Sequence, residues 1–492
     1  MNSFISLLQG STEYEQTRKA LELGRTPVCV TGCVDSQKCH FVASLFEDYK
    51  IRAIVTYNDL RAKEICEDLK LFGANPRFYP SKDLIFYQAD IKGNAIVKER
   101  AAAIKEMLSG NPVTVVMSID AALDKILPLE KVKESIVTLS DTDTIDAADL
   151  EKKLVALGYE RQSMVSAPGE FAVRGGIIDI FPLNDENPSR IELFGDEVDS
   201  IRRFDVDSQR AVGNIERLTI FPAAEFVLTD EELQAGFEKI RAEEKKTESL
   251  LRKKMKNEEA TRLKKACEEA IETMECSRGA ASVDAFVTSF YDETASFLDY
   301  FGPGDLIVFD EPMRLEEKGE ASLTEFRESM TGRLEGGYVL PSRADVIYDY
   351  KKILAKGQNK RLLLLSTLDM GNAGLKIKER FAVNAKNVNP YVSGIELLVR
   401  DLESYKKKRY KTIIVTGSSA RGQRLAEGLA EYGITAVFSE DRERQIQEGE
   451  TVIMYGALHK GFEYPLERVA VLAEGDTFGA ARRVRSKKRL SF

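Results

Sequence analysis

PGEFAVRGGIIDIFPLNDENPSRIELFGDEVDSIRRF, Pro168–Phe204, is the most β-like stretch of a chain that otherwise alternates strands and helices. Glu170–Val173 passes through Arg174-Gly175-Gly176 into Ile177–Phe181. Asn184–Asn187 then turns the chain into Arg190–Phe194, and Gly195-Asp196 turns it into Val198–Phe204. Glycine and Asn/Asp clusters between β-branched runs are turn signals. Side chains alternate faces along a strand. Ile191 and Leu193 therefore face one way, and Arg190, Glu192 and Phe194 the other. An aromatic between charges on an outward face is either a scattered surface residue or a contact anchor. Burial of Phe194 in the core would remove the second reading.

On the N-terminal side, Pro27–Val30, Ile51–Tyr57, Arg77–Tyr79 and Val113–Met117 are strands alternating with helices. That pattern predicts a parallel sheet covered on both faces. A helix over Ala147–Leu157 leads into the β-rich stretch, which runs to about Phe221. Thr229–Met274 is helical and dense in charge, with Leu233, Phe237, Ile240, Leu250 and Leu251 as its apolar stripe. Both signs are mixed along it, which favours a solvated helical hairpin over a nucleic-acid arm. Leu306–Phe309 is an apolar strand ending in Asp310-Glu311-Pro312. A second α/β series is expected from about Arg343, with strands at Arg361–Leu365, Thr412–Val415, Thr435–Phe438, Thr451–Tyr455 and Val469–Ala473. The basic run Arg482–Arg489 reads as a linker or tail. The expected divisions are 1–135, 136–222, 223–342, 343–480 and 481–492.

At 492 residues the chain has room for about three or four domains. A net charge of −9 argues against a surface given over as a whole to nucleic acid. No apolar run approaches the ~18–20 residues that span a bilayer. The start, MNSFISLLQGSTEYEQ, lacks a basic region before its short apolar stretch, so no secretory signal is expected. The six cysteines include no Cys-x-x-Cys pair and there are two histidines, so reduced thiols in the cytoplasm and no metal site are expected.

Val28–Cys39, VCVTGCVDSQKC, has the frame of a phosphate loop. Gly32 and Lys38 are in place, but Gln37 stands where the second glycine belongs and Cys39 where the magnesium-binding hydroxyl belongs. A side chain at 37 blocks close backbone approach to phosphate, and a thiol is a poor magnesium ligand. Asp310 and Glu311 end a strand as the magnesium-holding carboxylates of such enzymes do, and read here as vestigial. Together these features predict one split nucleotide-binding-type sheet with the β-rich stretch inserted. Val415–Arg424, VTGSSARGQR, imitates the same loop but carries Gln423 in place of the lysine. No Ser-His-Asp or Cys-His set can be assembled, and no catalytic residue is assigned.

At PGEFAVRGGIIDIFP and SRIELFGDEVDSIRRFDVDSQR the chain resembles the domain shared by the excision-repair protein UvrB and the bacterial transcription-repair coupling factor (Mfd) family. UvrB has an intact phosphate loop, and the Mfd family a degraded one, as here. UvrB also has a long aromatic hairpin, for which Tyr79–Gly93, YPSKDLIFYQADIKG, is too short. Gly456–Phe478, GALHKGFEYPLERVAVLAEGDTF, is similar to the end of the small α/β domain that follows in the Mfd family. The resemblance covers essentially the whole chain.

The resemblance implies an α/β fold: a degenerate P-loop NTPase-type parallel sheet split by an inserted β-rich domain, then a second small α/β domain. It implies a non-catalytic adaptor that recruits UvrA, with the family's contact residues falling on Arg174, Arg190 and Phe194. No cofactor is implied for this chain, ATP and Mg belonging to the motor of the full-length family. RNA polymerase and DNA are expected as partners only through later domains, which do not follow Phe492. The chain is thus expected to be the N-terminal part of such a protein, the product of a truncated gene or an isolated piece, with its UvrA-binding face unmasked. The alternative is a UvrB-like ATP-dependent repair helicase or NTPase.

Overall fold

The computed structural model describes residues 2–478 except 46–47, 83–90, 184, 277–282, 372–373, 389 and 392–394. The basic tail and most of the shortened hairpin segment therefore lie outside the described residues.

In chain order, β1 (Val28–Thr31), β2 (Ile51–Thr56), β3 (Pro76–Tyr79) and β4 (Val113–Ser118) alternate with helices. The insert follows. β5 (Val137–Ser140) opens it, and β6 (Glu160–Arg161), β7 (Glu170–Arg174), β8 (Ile177–Phe181), β9 (Ser189–Phe194), β10 (Glu197–Phe204) and β11 (Ala211–Asn214) form one six-stranded sheet in the order β11-β10-β9-β8-β7-β6. β12 (Arg217–Ile220) pairs antiparallel with β5 and closes the neck of the insert.

The chain then returns to the first sheet through β13 (Leu306–Asp310), β14 (Arg361–Leu365) and β15 (Glu379–Ala382). That sheet has seven strands in the order β15-β1-β14-β13-β2-β4-β3, and its pairs are parallel. The last sheet holds β16 (Lys386–Asn387), β17 (Lys411–Thr416), β18 (Ala436–Phe438), β19 (Thr451–Tyr455), β20 (Phe462–Tyr464) and β21 (Val469–Ala473), ordered β16-β20-β21-β17-β19-β18.

The structure corrects one boundary. Arg361–Leu365 is not the first strand of the second α/β series, which the reading began at 343. It lies between β1 and β13 in the centre of the first sheet. Its Leu362, Leu363 and Leu364 are fully buried, as a central strand of a doubly covered parallel sheet requires. The second half of the split domain therefore reaches Ala382.

The insert is fixed by a core of its own. Phe171, Ile178, Ile180, Ile191 and Ile201 pack on Leu150 and Leu154 of the helix Ala147–Ala156 and on Ala101 of the helix Ile91–Leu108. Lys105 of the latter helix bonds Asp185 at 2.5 Å, and Lys98 bonds Glu160 at 3.0 Å. At the neck, fully buried Arg100 joins the chain before the insert to the chain after it. Its Nη1 donates to Asp124 at 2.6 Å, its Nε to Glu225 at 2.7 Å, and its Nη2 to the Tyr79 hydroxyl at 2.5 Å. Lys82 also pairs with Glu225. Burial pushes the Asp124 carboxyl up to about 6, against the pull of Arg100 and Lys82. For Glu225 burial acts in the same direction, but Arg100 and Lys82 outweigh it and hold the carboxyl low.

Candidate partner-binding face and the filled phosphate-loop position

Two tight turns set the register of the insert's sheet. Gly175 (φ +62°) lies in the two-residue turn between β7 and β8, and Gly195 (φ +64°) in that between β9 and β10. Left-handed backbone at these positions matches the twist of the flanking strands and favours glycine. Arg174 is thereby paired with Ile177, Asp179 with Arg190, Ile177 with Glu192, and Arg202 with Arg190. Residues directly opposite one another share a face. Arg174, Asp179, Arg190, Glu192, Phe194 and Arg202 thus lie on the face turned away from the insert's core.

Phe194 is 81% exposed, a large apolar ring left in water at the tip of a rigid hairpin. Arg190 lies on the same outward face, as the alternation has it, but it is largely covered there. Its side chain is only 12% exposed. Arg190 Nε donates to Asp179 Oδ1 at 2.7 Å, and Nη2 donates to Asp179 Oδ2 at 2.9 Å and to Gln209 Oε1 at 2.9 Å. The guanidinium lies 4.2 Å from the Phe204 ring centre. Phe204 joins Val165, Ala172 and Phe181 in a small second cluster that roofs this side of the sheet. Arg174 remains 44% exposed and donates to Asp179 Oδ2 at 2.6 Å. The three predicted contact residues thus share a face, with Arg174 and Phe194 open and Arg190 presenting an edge.

Asp179, fully buried, fixes both arginines. It was not singled out from the sequence, although a carboxylate inside IIDIF is a visible break in an apolar strand.

At the phosphate-loop position, the helix Asp35–Ala43 starts three residues ahead of Lys38, so the wide loop of a nucleotide cradle does not form. The Val34 amide donates to Gln37 Oε1 at 3.0 Å, closing the helix start on itself. Gly32 has φ +75°, and a Cβ there would lie 2.1 Å from the Val383 carbonyl. Lys38 turns away from the loop, donating to Asp310 at 2.7 Å and Glu311 at 2.5 Å. Burial lowers the Lys38 pKa, but the two carboxylates outweigh it and leave it raised. Asp310 also accepts from Thr56 at 2.8 Å. Glu311 adopts φ +56°, an uncommon conformation for a non-glycine residue, and is held there by Thr367 N and Oγ1 at 2.9 and 2.7 Å. Cys39 is buried, and burial pushes its thiol well up, away from the thiolate.

The small α/β domain covers the position. Tyr464 OH accepts from Gln37 Nε2 at 3.0 Å and lies 3.0 Å from His40 Nδ1. Lys460 Nζ bonds Asp35 at 2.7 Å, and its amide donates to Ser36 Oγ at 3.1 Å. His459 bonds buried Asp68 through Nδ1 at 3.0 Å. Burial pushes His40 down to about 4, so it is neutral at physiological pH. At the second imitation, Gly417 N and Arg421 Nη1 donate to Glu474 at 2.7 and 2.8 Å, so a carboxylate of the chain itself sits at that helix start. Among the described residues no cluster of His, Cys, Asp and Glu could hold a metal ion. No helix of the described residues is long and apolar enough to cross a membrane.

The family described as the UvrB interaction domain matches residues 137–226, the span from β5 to just past β12. Over 99% of its length the chain is 30% identical to the transcription-repair-coupling factor of Bacillus subtilis (strain 168), covering 41% of that protein. It is 27% identical over 94% of its length to the transcription-repair-coupling factor of Staphylococcus epidermidis, and 26% identical to that of Staphylococcus haemolyticus, covering 39% of each. The chain spans about two fifths of the length of the curated relatives it matches.

Proposed function

We propose, from the similarity of this chain to the N-terminal part of transcription-repair-coupling factor, that its insert recruits UvrA and so links transcription to nucleotide excision repair. The observation that carries this reading is the outward face of the insert, which an exposed Phe194 shares with a pair of arginines fixed by one buried carboxylate. Arg174, held by one bond and half exposed, offers its remaining donors to a partner carboxylate without first being ordered, and Arg190 offers a free edge. The ring supplies apolar area to bury.

The remainder acts as a scaffold. With Lys38 engaged by Asp310 and Glu311 and the loop covered by Tyr464 and Lys460, the alternative of a UvrB-like nucleotide hydrolase is disfavoured. The chain works without ATP, magnesium or a catalytic residue of its own, in the cytoplasm. The ATP-driven translocase, RNA polymerase binding and displacement of stalled polymerase belong to other parts of the longer relatives.

Titration of UvrA against the chain tests the reading. The expected result is saturable binding that falls about thirtyfold or more in the Arg174→Ala, Phe194→Ala double variant, the loss of one anchor of about 2 kcal/mol or more. Phe194 is exposed and Asp179 keeps its two bonds from Arg190, so the thermal midpoint should fall only modestly. Unchanged affinity in the double variant contradicts the assignment.

A further inference from the structure

The helical hairpin between the insert and β13 separates its charges along its length. Its helices, Asp230–Lys253 and Asn257–Cys276, pack through Leu233, Phe237, Ile240 and Leu251 on one side and Ala260, Leu263, Cys267, Ile271 and Met274 on the other. The base half, residues 230–244 and 266–276, carries ten Asp/Glu against two Lys/Arg, a net −8. The apex half, residues 245–265, carries nine Lys/Arg against three Asp/Glu, a net +6, in a chain whose net charge is −9. Charges that average out over Thr229–Met274 fall in three consecutive blocks, and pairing the helices brings the two acidic blocks together at the base and leaves the basic block at the apex.

We propose that this apex is a docking site for the phosphate backbone of duplex DNA, bound without regard to sequence. Lys245, Lys246, Lys253, Lys254 and Lys264 are exposed, and none of them forms an ion pair among the described residues. Of the other apex cations, Arg252 pairs with Glu248, Lys265 with Glu269, Lys256 bonds the Glu335 carbonyl, and Arg262 bonds the Gly336 carbonyl. Met255 crowns the turn, 83% exposed and at φ +64°.

Lysine ammonium groups are point charges suited to phosphate oxygens, whereas base reading uses forked donors such as arginine. A polyanion gains affinity here by counterion release, which needs unpaired cations clustered in space and not a basic protein overall. A lipid surface fits less well. A helix lying in a bilayer interface presents a continuous apolar face, and the apolar stripes of both helices, apart from half-exposed Leu250, are buried against each other and the domain core.

The test is fluorescence anisotropy of a labelled 25-base-pair duplex titrated with the full chain, from 50 mM salt upward. The expected result is salt-sensitive binding. Lys246→Glu, Lys253→Glu and Lys254→Glu together should weaken it at least tenfold at 50 mM and flatten the salt dependence by about two to three charges. Circular dichroism checks that the variant is folded, and retained capture of UvrA keeps this result separate from the insert's role. Three outcomes overturn the proposal: no anisotropy change at 50 mM salt, full-strength binding by the triple variant (which points to the basic run 482–489), or tighter binding to phosphatidylserine vesicles than to duplex.

Discussion

Replacing Arg100 by Leu is expected to cost about 3–5 kcal/mol of stability, the largest single effect foreseen for this chain. Arg100 is fully buried and bonds carboxylates on both sides of the insertion, Asp124 before it and Glu225 after it. Leucine preserves much of the volume but leaves Asp124 buried without its cation, and Glu225 with the Tyr79 hydroxyl and Lys82 as its single cation. The loss should depend on pH, and its sign follows from Asp124. Its folded value of about 6 exceeds its ordinary 3.8, so the folded state binds the proton more tightly, and stability falls as pH rises from about 4 to about 6. Without Arg100 that value rises further and the window extends upward. Urea unfolding should therefore show a larger destabilisation by Arg100→Leu at pH 8 than at pH 5. A loss under 1 kcal/mol, or one that grows on acidification, would show that the cluster does not tie the neck of the insert.

Asp179→Ala is expected to lower the affinity for UvrA by tenfold or more without touching a residue placed at the contact. Asp179 is fully buried and receives three hydrogen bonds from Arg174 and Arg190. Its removal leaves Arg190 with Gln209 and the Phe204 ring, and frees Arg174 to sample rotamers that binding must then reorder. The alanine variant should also lose stability, because a mostly covered guanidinium loses its counter-charge. Asp179→Asn keeps the shape and part of the hydrogen bonding, so it should fall between wild type and alanine in both measurements. Equal affinity in all three proteins would mean that the arginines act independently of this support. An affinity loss accompanied by a collapsed insert, seen in near-ultraviolet circular dichroism, would trace the effect to folding instead.

Local signals made most of the sheet structure legible. The strands of the insert stand out because glycine turns separate short alternating runs, and the doubly buried strands because they read as unbroken apolar segments. The same locality explains the misplaced strand. Arg361–Leu365 follows a helix and precedes more α/β sequence, and nothing near it in the chain says that it inserts between β1 and β13. The parity that aligns Arg190 with Phe194 is a property of one strand and was readable. The covering of Arg190 depends on Asp179, Phe204 and Gln209 from neighbouring strands and loops, and was not. Gln37 could be read as an obstruction in a phosphate loop, but its partner Tyr464 lies 427 residues further on. The hairpin's charge separation was open to reading, because the basic apex is the single run 245–265, but taking Thr229–Met274 as one window averages it away.

The insert's outward face is expected to be the working surface, and the phosphate-loop position to be inert. Amide hydrogen exchange of the whole chain, alone, with UvrA and with magnesium ATP, tests it most directly. UvrA is expected to slow exchange in β7–β10, residues 170–204, and magnesium ATP to change nothing over residues 28–39 or 306–311. Protection of the phosphate-loop segment by ATP, or protection by UvrA that spares 170–204, would contradict it.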